Sequence, residues 1–282
     1  MSPLRFGCET ATSRSVRVRG LRLHLLESGA PGRPAVCFLH GGAAHAHWFD
    51  RVTPPFADRF HVVALDQRGH GESDWSRPAA YATGDFAADL LALMERLGLA
   101  RMALVGHSMG GHNAMAFAAW HPGRVRALVI GDSRPAIPPE RLQHMQARGH
   151  RGLRRHATAE AAVEAFRLIP RETVADRAFL AHLARAGLAE RDGGWVYRFY
   201  PACNGSRQPR DVWPLLPRIT APTLIIRGEW SPILPRETAE RMRAAIPRAS
   251  IVEISGAHHH VTLDQPYAFA SALSAFLDTI AE

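Results

Sequence analysis

Short apolar runs alternate with longer amphipathic segments along most of the chain. The stretches SVRVRG and LRLHLLESG near the N-terminus alternate apolar and polar residues with a period of two, which predicts an antiparallel hairpin. AVCFLH and HVVALD are apolar throughout and end in polar residues, as strands of a parallel sheet covered on both faces do. We therefore expect an α/β protein with a mostly parallel, twisted sheet flanked by helices.

The middle of the chain continues this alternation and then departs from it. The spacing in DFAADLLALMERLGL and the small residues of MGGHNAMAFAAWHP predict helices, and RMALVGHS and VRALVIGDS predict buried strands. From Pro135 to Pro217 the chain is rich in Arg and Ala and gives helical segments without a clear strand, and the alternation resumes at APTLIIRGEW. We predict one core domain, residues 1–134 and 218–282, with a helical insertion at 135–217.

Composition and charge narrow the class of protein. The 282 residues are 46% hydrophobic and 21% charged, which is typical of a globular domain. The formal net charge is +8, and all 34 basic residues are arginines, a pattern closer to a coding bias than to a selected surface. The densest basic run, RGHRGLRRH at 148–156, lacks interleaved aromatic residues, so we expect a solvated helix face and no nucleic-acid partner. The open alternative is a patch that steers anionic substrates toward an active site.

Cysteine usage and hydropathy give further expectations. Cys8, Cys37 and Cys203 are too few and too scattered for a disulfide framework or a zinc site, so we expect reduced structural thiols. The HAH at 45–47 has the wrong context for zinc ligation. The N-terminus has no apolar core of signal-peptide length, and no stretch approaches the roughly 18 apolar residues of a membrane span. We expect a cytoplasmic protein without a membrane partner, and a homodimer is left open.

The stretch GHSMGG, at 106–111, directly follows a predicted strand and directly precedes a predicted helix. Its G-x-S-x-G pattern, with Gly106, Ser108 and Gly110, places a serine on a sharp strand-to-helix turn where glycines leave room for the backbone. The hydroxyl of Ser108 is not ionised at neutral pH, so it needs a histidine base and a carboxylate that orients the imidazole. GAHHHVTLDQP, after the last predicted strand, offers three histidines.

Four motifs together resemble those of the α/β-hydrolase superfamily over nearly the whole chain. They are HGG at 40–42, DQRGHGES at 66–73, GHSMGG at 106–111 and the closing pattern G-A-x-H-x-V-x-L-x-Q-P. The resemblance implies an α/β-hydrolase fold in which the insertion at 135–217 is a helical cap, or lid. Anchored on the final Leu, Gln and Pro of the closing pattern, it also implies that His259 is the catalytic base. His258 and His260 are then loop imidazoles that shape the pocket.

The acidic partner of His259 is displaced from its usual place. Most members of the superfamily carry the acid after the strand that here reads TLIIRG, and Ser231 stands at that position. An imidazolium without a carboxylate loses much of its stabilisation, so a compensating acid is expected. Asp132, at the end of VRALVIGD, is the predicted acid, and some haloalkane dehalogenases and related hydrolases of the superfamily likewise take their acid from this strand. Glu229 is the second candidate, and Asp264 is expected to cap the last helix.

The resemblance also implies an oxyanion hole formed by the backbone N–H groups of Gly42 and Met109. Within DQRGHGES, the polar residues are expected to support their loop rather than touch the substrate, and aromatic residues of the insertion are expected mainly in its own core. The residues expected to line the substrate pocket are His40, Gly41, Trp48, His107 and Trp230.

Together these residues predict a serine hydrolase that needs no cofactor or metal and cleaves a carboxylic ester through an acyl-enzyme intermediate. Ser108 attacks the carbonyl, His259 transfers the proton and Asp132 orients His259. A serine in place of an aspartate argues against epoxide hydrolase and haloalkane dehalogenase chemistry, because their alkyl-enzyme intermediate requires a carboxylate. The alternatives are lactone opening or C–C cleavage by the same residues, a non-catalytic ligand receptor, and a cofactor-free oxygenase.

Overall fold

The computed structural model describes residues 11–280, and Cys8 lies outside this range. These residues form twelve β-strands and nine α-helices. The strands are β1 (Thr12–Val18), β2 (Leu21–Ser28), β3 (Ala35–Leu39), β4 (His61–Leu65), β5 (Tyr81–Ala82), β6 (Met102–His107), β7 (Val125–Gly131), β8 (Leu188–Arg191), β9 (Gly194–Tyr197), β10 (Arg207–Gln208), β11 (Thr223–Gly228) and β12 (Ala249–Ile254). The helices are α1 (Thr83–Arg96), α2 (Met109–Trp120), α3 (Pro139–Gly149), α4 (Ala159–Ala165), α5 (Arg177–Ala186), α6 (Ala202–Gly205), α7 (Arg236–Ala245), α8 (Val261–Asp264) and α9 (Pro266–Asp278).

Eight of the strands form one sheet in the order β1-β2-β4-β3-β6-β7-β11-β12. β2 is antiparallel to β1 and to β4, and every later pair of neighbours is parallel. This arrangement confirms the predicted hairpin and the mostly parallel sheet. Because parallel strands end at the same edge, the segments that follow β3, β6, β7 and β11 meet there. HGG, GHSMGG, Asp132 and Ser231 all lie in those segments.

Alternate residues of the central strands enter two apolar layers, one on each face of the sheet. In β3, Ala35, Cys37 and Leu39 belong to one layer, and Val36 and Phe38 belong to the other. Helices α1, α2 and α7 contribute to the first layer, and α5 and α9 contribute to the second. A strand that is covered on both faces must be apolar at every position, which is why AVCFL shows no period of two.

Helix α2 is buried nearly along its whole length and lies very close to the sheet. A Cβ atom at Gly110 would lie 2.1 Å from the carbonyl oxygen of Leu39, and one at Gly106 would lie 2.4 Å from the carbonyl oxygen of Gly110. No side chain fits at such distances, because these contacts are with backbone atoms that cannot move aside. The two glycines of G-x-S-x-G therefore allow α2 to begin directly against β3 and β6.

The inserted segment, residues 135–217, contains strands as well as helices. The prediction of helices alone was wrong, because β8 and β9 form an antiparallel hairpin and β10 pairs with β5. Asp192 and Gly193 form the two-residue turn of the hairpin with φ values of 48° and 73°. Asp-Gly is a typical sequence for such a turn, since both positions need a positive φ. These strands have two to four residues each, which is too short for a period to be recognised.

The end of the inserted segment returns to the core. Leu215 and Leu216, in a short 3₁₀ helix at Trp213–Arg218, are buried in the same apolar layer as α2. Cys37 and Cys203 are both free and buried. Within residues 11–280, none of the helices combines the length and the apolar character needed to cross a membrane.

Candidate active site

Ser108 lies on the sharp turn between β6 and α2. Its φ of 52° and ψ of −116° fall in a region that non-glycine residues rarely adopt. The turn is held because the N–H of Ser108 donates to the carbonyl oxygen of Gly131 at 2.9 Å. The hydroxyl of Ser133 donates to the carbonyl oxygen of Ser108 at 2.6 Å. These bonds fix a strained backbone that places the Ser108 side chain at the edge of the sheet, in the wall of a cavity.

Three predicted residues form one hydrogen-bonded row. Nε2 of His259 lies 3.0 Å from Oγ of Ser108, and Nδ1 of His259 lies 2.8 Å from Oδ1 of Asp132. The side chains of His259 and Asp132 are 4% and 0% exposed. With Nδ1–H donating to the carboxylate, Nε2 accepts the Ser108 hydroxyl proton. The row thus runs from a fully buried carboxyl to a hydroxyl that faces the cavity.

Asp132 accepts hydrogen bonds from two residues at and after the end of β11, the strand where the superfamily usually places its acid. The hydroxyl of Ser231 donates to Oδ1 of Asp132 at 2.5 Å, and the N–H of Gly228 donates to Oδ2 at 2.8 Å. Oγ of Ser231 in turn accepts a hydrogen bond from the N–H of Ile233 at 3.1 Å. Ser231 therefore occupies the position where the acid was expected, and its hydroxyl binds the carboxylate of Asp132.

The other two acidic candidates make different contacts. Glu229 is exposed, and its Oε2 accepts from the N–H of Gly256 at 2.9 Å. The expectation that Asp264 caps the last helix is wrong, because Gln265 holds the position before α9. Asp264 instead accepts from the N–H of Val174 at 3.0 Å, from the N–H of His258 at 2.8 Å and from the Thr173 hydroxyl. It joins the loop of the candidate base to the inserted segment.

Burial governs the protonation of the Asp132–His259 pair. It raises the pKa of the Asp132 carboxyl to about 7, against the opposing effect of the hydrogen bonds from Ser231 and Gly228. It also lowers the pKa of the His259 imidazole well below its usual value, and the nearby His260 and Arg141 charges lower it further. His259 is therefore neutral at neutral pH, with Nε2 available to accept a proton.

Gly42 and Met109 lie beside Ser108 in the cavity wall. Met109 is the first residue of α2, so its N–H has no partner within the helix. A Cβ atom at Gly42 would lie 4.0 Å from Sδ of Met109, so the two residues are close neighbours. The turn that carries Gly42 is fixed by His40, whose Nδ1–H donates to the Gly41 carbonyl oxygen at 2.7 Å. The two backbone N–H groups are thus located where they could share one oxygen atom.

The order of these residues on this sheet agrees with a match to a known family. The sequence model of the alpha/beta hydrolase fold matches residues 34–266. The chain belongs to the α/β hydrolase family. This confirms the predicted fold class and the resemblance on which the prediction rested.

Two relatives that this α/β hydrolase matches over most of its length are named as hydrolases. The chain is 30% identical over 278 residues to the 2-(acetamidomethylene)succinate hydrolase of Mesorhizobium japonicum, which covers 94% of this chain and 95% of the relative. It is 30% identical over 260 residues to a 2-hydroxy-6-oxononadienedioate/2-hydroxy-6-oxononatrienedioate hydrolase of Dechloromonas aromatica, which covers 86% of this chain and 87% of the relative. The crystal structure of E-2-(acetamidomethylene)succinate hydrolase superposes with a TM-score of 0.86 at 29% identity, covering 95% of this chain and 100% of that one.

The cavity in front of Ser108 has a volume of 530 Å³ and lies between the sheet edge and the inserted segment of this α/β hydrolase. That volume is typical of a small-molecule site. Its apolar wall includes Ile137, Met145, Ile169 and Ile233. Its charged and polar wall includes Arg134, Glu140, Arg141, His144, Arg148, Asn204 and Arg207. Of these residues, only Arg148 was considered from the sequence, as part of the basic run at 148–156.

The five residues predicted to line the pocket lie outside this wall. His40 and His107 are buried, and Gly41 packs beneath Ser108, where a Cβ would lie 3.2 Å from that of Ser108. Trp48 is buried with its ring 5.2 Å from that of His45. Trp230 is 52% exposed and packs on His258 at the surface. Sequence spacing alone places these residues near the turn but does not show which way their side chains point.

Two of the buried histidines position the loop of His259. Nε2–H of His107 donates to the carbonyl oxygen of His259 at 2.8 Å, and burial lowers the pKa of His107 to about 3, so it is neutral. Nε2–H of His260 donates to the carbonyl oxygen of Pro170 at 2.9 Å. His259 is thereby held between the core and the inserted segment.

The prediction that DQRGHGES supports its own loop is confirmed. Oδ2 of Asp66 accepts from the N–H of Glu72 at 2.9 Å, and the Ser73 hydroxyl donates to the Asp66 carbonyl oxygen at 2.5 Å. Arg68 binds Asp89 through two bonds of 2.6 Å each. These residues are buried and bonded to the protein itself.

Two groups within residues 11–280 bring possible metal-ligand atoms within 4.8 Å of one another. The first contains His259 itself. In the second, Nδ1 of His47 and Nε2 of His182 lie 2.9 and 2.7 Å from the same oxygen of Asp50. This second group joins the turn after β3 to helix α5 and is already hydrogen-bonded without a metal.

A second concavity of 620 Å³ lies between the turn after β1 and the β8–β9 hairpin. Arg22, Trp75 and Arg191 are among its lining residues, and Ser108 is not. We assign the candidate site to the smaller cavity, because that one contains both Ser108 and His259.

Proposed function

We propose that this α/β hydrolase is a serine hydrolase that cleaves a carboxylic ester through an acyl-enzyme intermediate. The observation that carries the proposal is the row in which Ser108 Oγ lies 3.0 Å from His259 Nε2 and His259 Nδ1 lies 2.8 Å from Asp132. A hydroxyl, an imidazole and a carboxylate in this geometry are the parts that nucleophilic acyl transfer requires.

The proposed reaction assigns a role to each residue of the row and to the two backbone N–H groups. His259 takes the proton of Ser108 as Oγ attacks the carbonyl carbon, and Asp132 stabilises the imidazolium that forms. The N–H groups of Gly42 and Met109 bind the oxygen as it becomes negative. His259 then gives its proton to the leaving alcohol. In the second half, His259 activates a water molecule that releases the acid and regenerates Ser108.

The displaced acid fits this mechanism because the imidazole needs a carboxylate and not a particular strand. Asp132 must be ionised to stabilise an imidazolium, and burial opposes ionisation. Ser231 and Gly228 donate hydrogen bonds to the two carboxylate oxygens at 2.5 and 2.8 Å, which favour the ionised form. We assign both residues the role of keeping Asp132 charged and oriented.

A second candidate is hydrolysis of an acetamido group. The observation that favours it is the similarity to 2-(acetamidomethylene)succinate hydrolase, whose name describes an acetamido substrate, over 94% of this chain. The same residues can break an amide C–N bond, because His259 can protonate a departing nitrogen as it can an oxygen. The two candidates differ only in the leaving group.

The first test is covalent labelling by a fluorophosphonate, followed by mass spectrometry. We expect one adduct, on Ser108, and none in Ser108→Ala. Ser271→Ala is the control, because this serine is exposed on α9, away from the cavity wall, and should leave the labelling of Ser108 unchanged. Wild-type protein that stays unlabelled would overturn the serine hydrolase proposal.

The second test separates the two leaving groups. Acetyl transfer to water would be followed with p-nitrophenyl acetate and with an N-acetyl enamine of similar size. Turnover of the ester with none of the enamine supports the first candidate, and a higher kcat/KM for the enamine supports the second. Either activity should disappear in Ser108→Ala.

A further inference from the structure

Arg207 is a buried arginine in the wall of the cavity that contains Ser108. It is 3% exposed and lies on the short strand β10. Its Nε atom is buried without a hydrogen-bond partner. Within residues 11–280, the structure records no ion pair for its guanidinium. A buried cation of this kind is costly unless something else neutralises it.

Another buried arginine of the same protein shows what the usual arrangement looks like. Arg68 is 4% exposed, and its guanidinium binds both carboxylate oxygens of Asp89. Arg207 has the same burial and no such carboxylate. Burial lowers the pKa of Arg207 to about 10, which still leaves it protonated at neutral pH.

The side chains around Arg207 do not supply a negative charge. Burial raises the pKa of the Cys203 thiol to about 12, so this neighbour stays uncharged at neutral pH. Burial lowers the pKa of His112 to about 4 and that of His70 well below its usual value, and the Arg207 charge adds to both shifts. Glu140 is the one carboxylate in the wall among the described residues, and it is exposed on α3. The cavity wall at Arg207 therefore carries a positive charge that no neighbouring carboxylate neutralises.

We propose that Arg207 binds a carboxylate group of the substrate, so that this hydrolase acts on acyl compounds that are themselves anions. This inference rests on the proposed function of Ser108. A guanidinium can bind both oxygens of a carboxylate at once, which fixes orientation as well as charge. Arg134 and Arg141, also in the wall, make the approach to Arg207 positive. The carboxylate would anchor the substrate at one end while its ester group reaches Ser108.

The experiment compares two esters of the same chain length. Mono-p-nitrophenyl glutarate carries a carboxylate, and p-nitrophenyl pentanoate is its neutral counterpart. We expect wild type to prefer the glutarate, and Arg207→Gln to lower the ratio of the two kcat/KM values by about 10- to 100-fold, mainly through KM. Arg151→Gln removes an exposed arginine of the inserted segment, and it should leave the ratio within about twofold.

The outcomes separate this inference from the proposed function. If both esters are hydrolysed and Arg207→Gln leaves their ratio unchanged, the carboxylate assignment is overturned and the hydrolase proposal stands. If wild type hydrolyses neither ester and Ser108 is not labelled by a fluorophosphonate, the proposed function itself fails. Stronger competitive inhibition by inorganic phosphate than by glutarate would also overturn the choice of a carboxylate.

Thermal stability provides a readout that does not depend on turnover. Arg207→Met removes a buried charge without a partner, so we expect Tm to stay the same or rise. Arg68→Met removes both short bonds to the buried Asp89 and leaves it only the partly exposed Arg19 at 3.1 Å, so we expect Tm to fall. If Arg207→Met lowers Tm as much as Arg68→Met does, the Arg207 guanidinium has a structural role, and the inference is wrong.

Discussion

The carboxylate next to His259 follows β7, and a hydroxyl, that of Ser231, stands after β11. β7 and β11 are hydrogen-bonded neighbours, with Gly131 opposite Ile226, so side chains that follow the two strands reach the same point. Ser231 Oγ lies 2.5 Å from the Asp132 oxygen that also contacts His259. We expect that a carboxylate after either strand can reach Nδ1 of His259. The strand that carries the acid is therefore not fixed by the chemistry.

Asp132→Asn is expected to remove most of the activity. An amide at this position cannot stabilise the imidazolium and favours the wrong tautomer of His259, so kcat should fall by about 10⁴-fold. Glu229→Gln is the matched control, because Glu229 is exposed and contacts Gly256 instead. The measurement is kcat on a p-nitrophenyl ester. A large loss in Glu229→Gln with an active Asp132→Asn would show that the acid is assigned to the wrong residue.

The position of the acid can be tested by moving the carboxylate from residue 132 to residue 231. In Asp132→Asn/Ser231→Asp, the carboxylate returns to β11 while an amide occupies β7. We expect kcat to recover by about 10-fold or more relative to Asp132→Asn alone. Ser231→Asn in the same background keeps the size of the side chain without the charge and should give no recovery. Equal activity of the two double variants would show that a carboxylate at position 231 does not replace the one at position 132.

Ser231→Ala should change the pH dependence of the reaction. Burial holds the pKa of Asp132 at about 7, and the Ser231 hydroxyl opposes this increase by binding the ionised form. Loss of that donor disfavours the carboxylate, so the pKa rises, by about one unit. Because the proposed reaction needs an ionised Asp132 beside a neutral His259, the acid limb of kcat/KM should move to higher pH, with activity near pH 9 least affected. An acid limb that stays in place would show that Ser231 does not tune the pair.

The residues of the row could be predicted from the sequence, but the anion-binding wall could not. Ser108 and His259 are marked by motifs with fixed neighbours, and Asp132 follows from the absence of an acid at Ser231. Arg207 reaches the cavity only because a two-residue strand pairs with Tyr81 and Ala82, far away along the chain. No local pattern marks such a contact. Trp230 shows the reverse case, since it is close in sequence to Ser231 but faces solvent.

At the level of elements, the central sheet is predictable because its strands are buried and mostly apolar. β3, β4, β6 and β11 are buried at every position, and each contains at least three apolar residues in succession. The β8–β9 hairpin could not be predicted in the same way, because each of its strands has only four residues and β8 ends in the exposed, charged Glu190 and Arg191. Its Asp-Gly turn was the one local signal that could have revealed it.

Gly110→Ala is expected to destabilise the protein strongly. The new Cβ would lie 2.1 Å from the carbonyl oxygen of Leu39, so α2 would have to move away from β3. Overpacking of this kind costs about 2–3 kcal/mol in the free energy of unfolding. Gly123→Ala is the control, because a Cβ there meets nothing within 4 Å. Urea unfolding followed by tryptophan fluorescence measures both, and equal stabilities would show that α2 can shift freely.

At the scale of the whole molecule, polar bridges hold the inserted segment over the sheet edge. His260 binds the Pro170 carbonyl oxygen, Asp264 binds the N–H of Val174, and Asp50 binds His182. Each bridge begins in a segment that follows β3 or β12 at the carboxyl edge of the sheet, where Ser108 and His259 also lie. The cavity is therefore bounded by two parts of the chain whose relative position these few bonds help to set.

The net charge of +8 and the arginines of the cavity wall predict that kcat/KM for an anionic substrate depends on salt. Arg148 is exposed at the cavity wall, so its field extends into solvent and should accelerate the approach of an anion. Raising NaCl from about 0.05 to about 0.5 M should lower kcat/KM for mono-p-nitrophenyl glutarate by roughly 3- to 10-fold, because screening shortens that field. The neutral pentanoate ester should respond little, and Arg148→Gln should reduce the salt dependence for the glutarate. Since Arg207 is buried and less screened, a preference for the glutarate should survive at high salt. If salt abolishes the preference entirely, surface charge rather than the buried guanidinium selects the substrate.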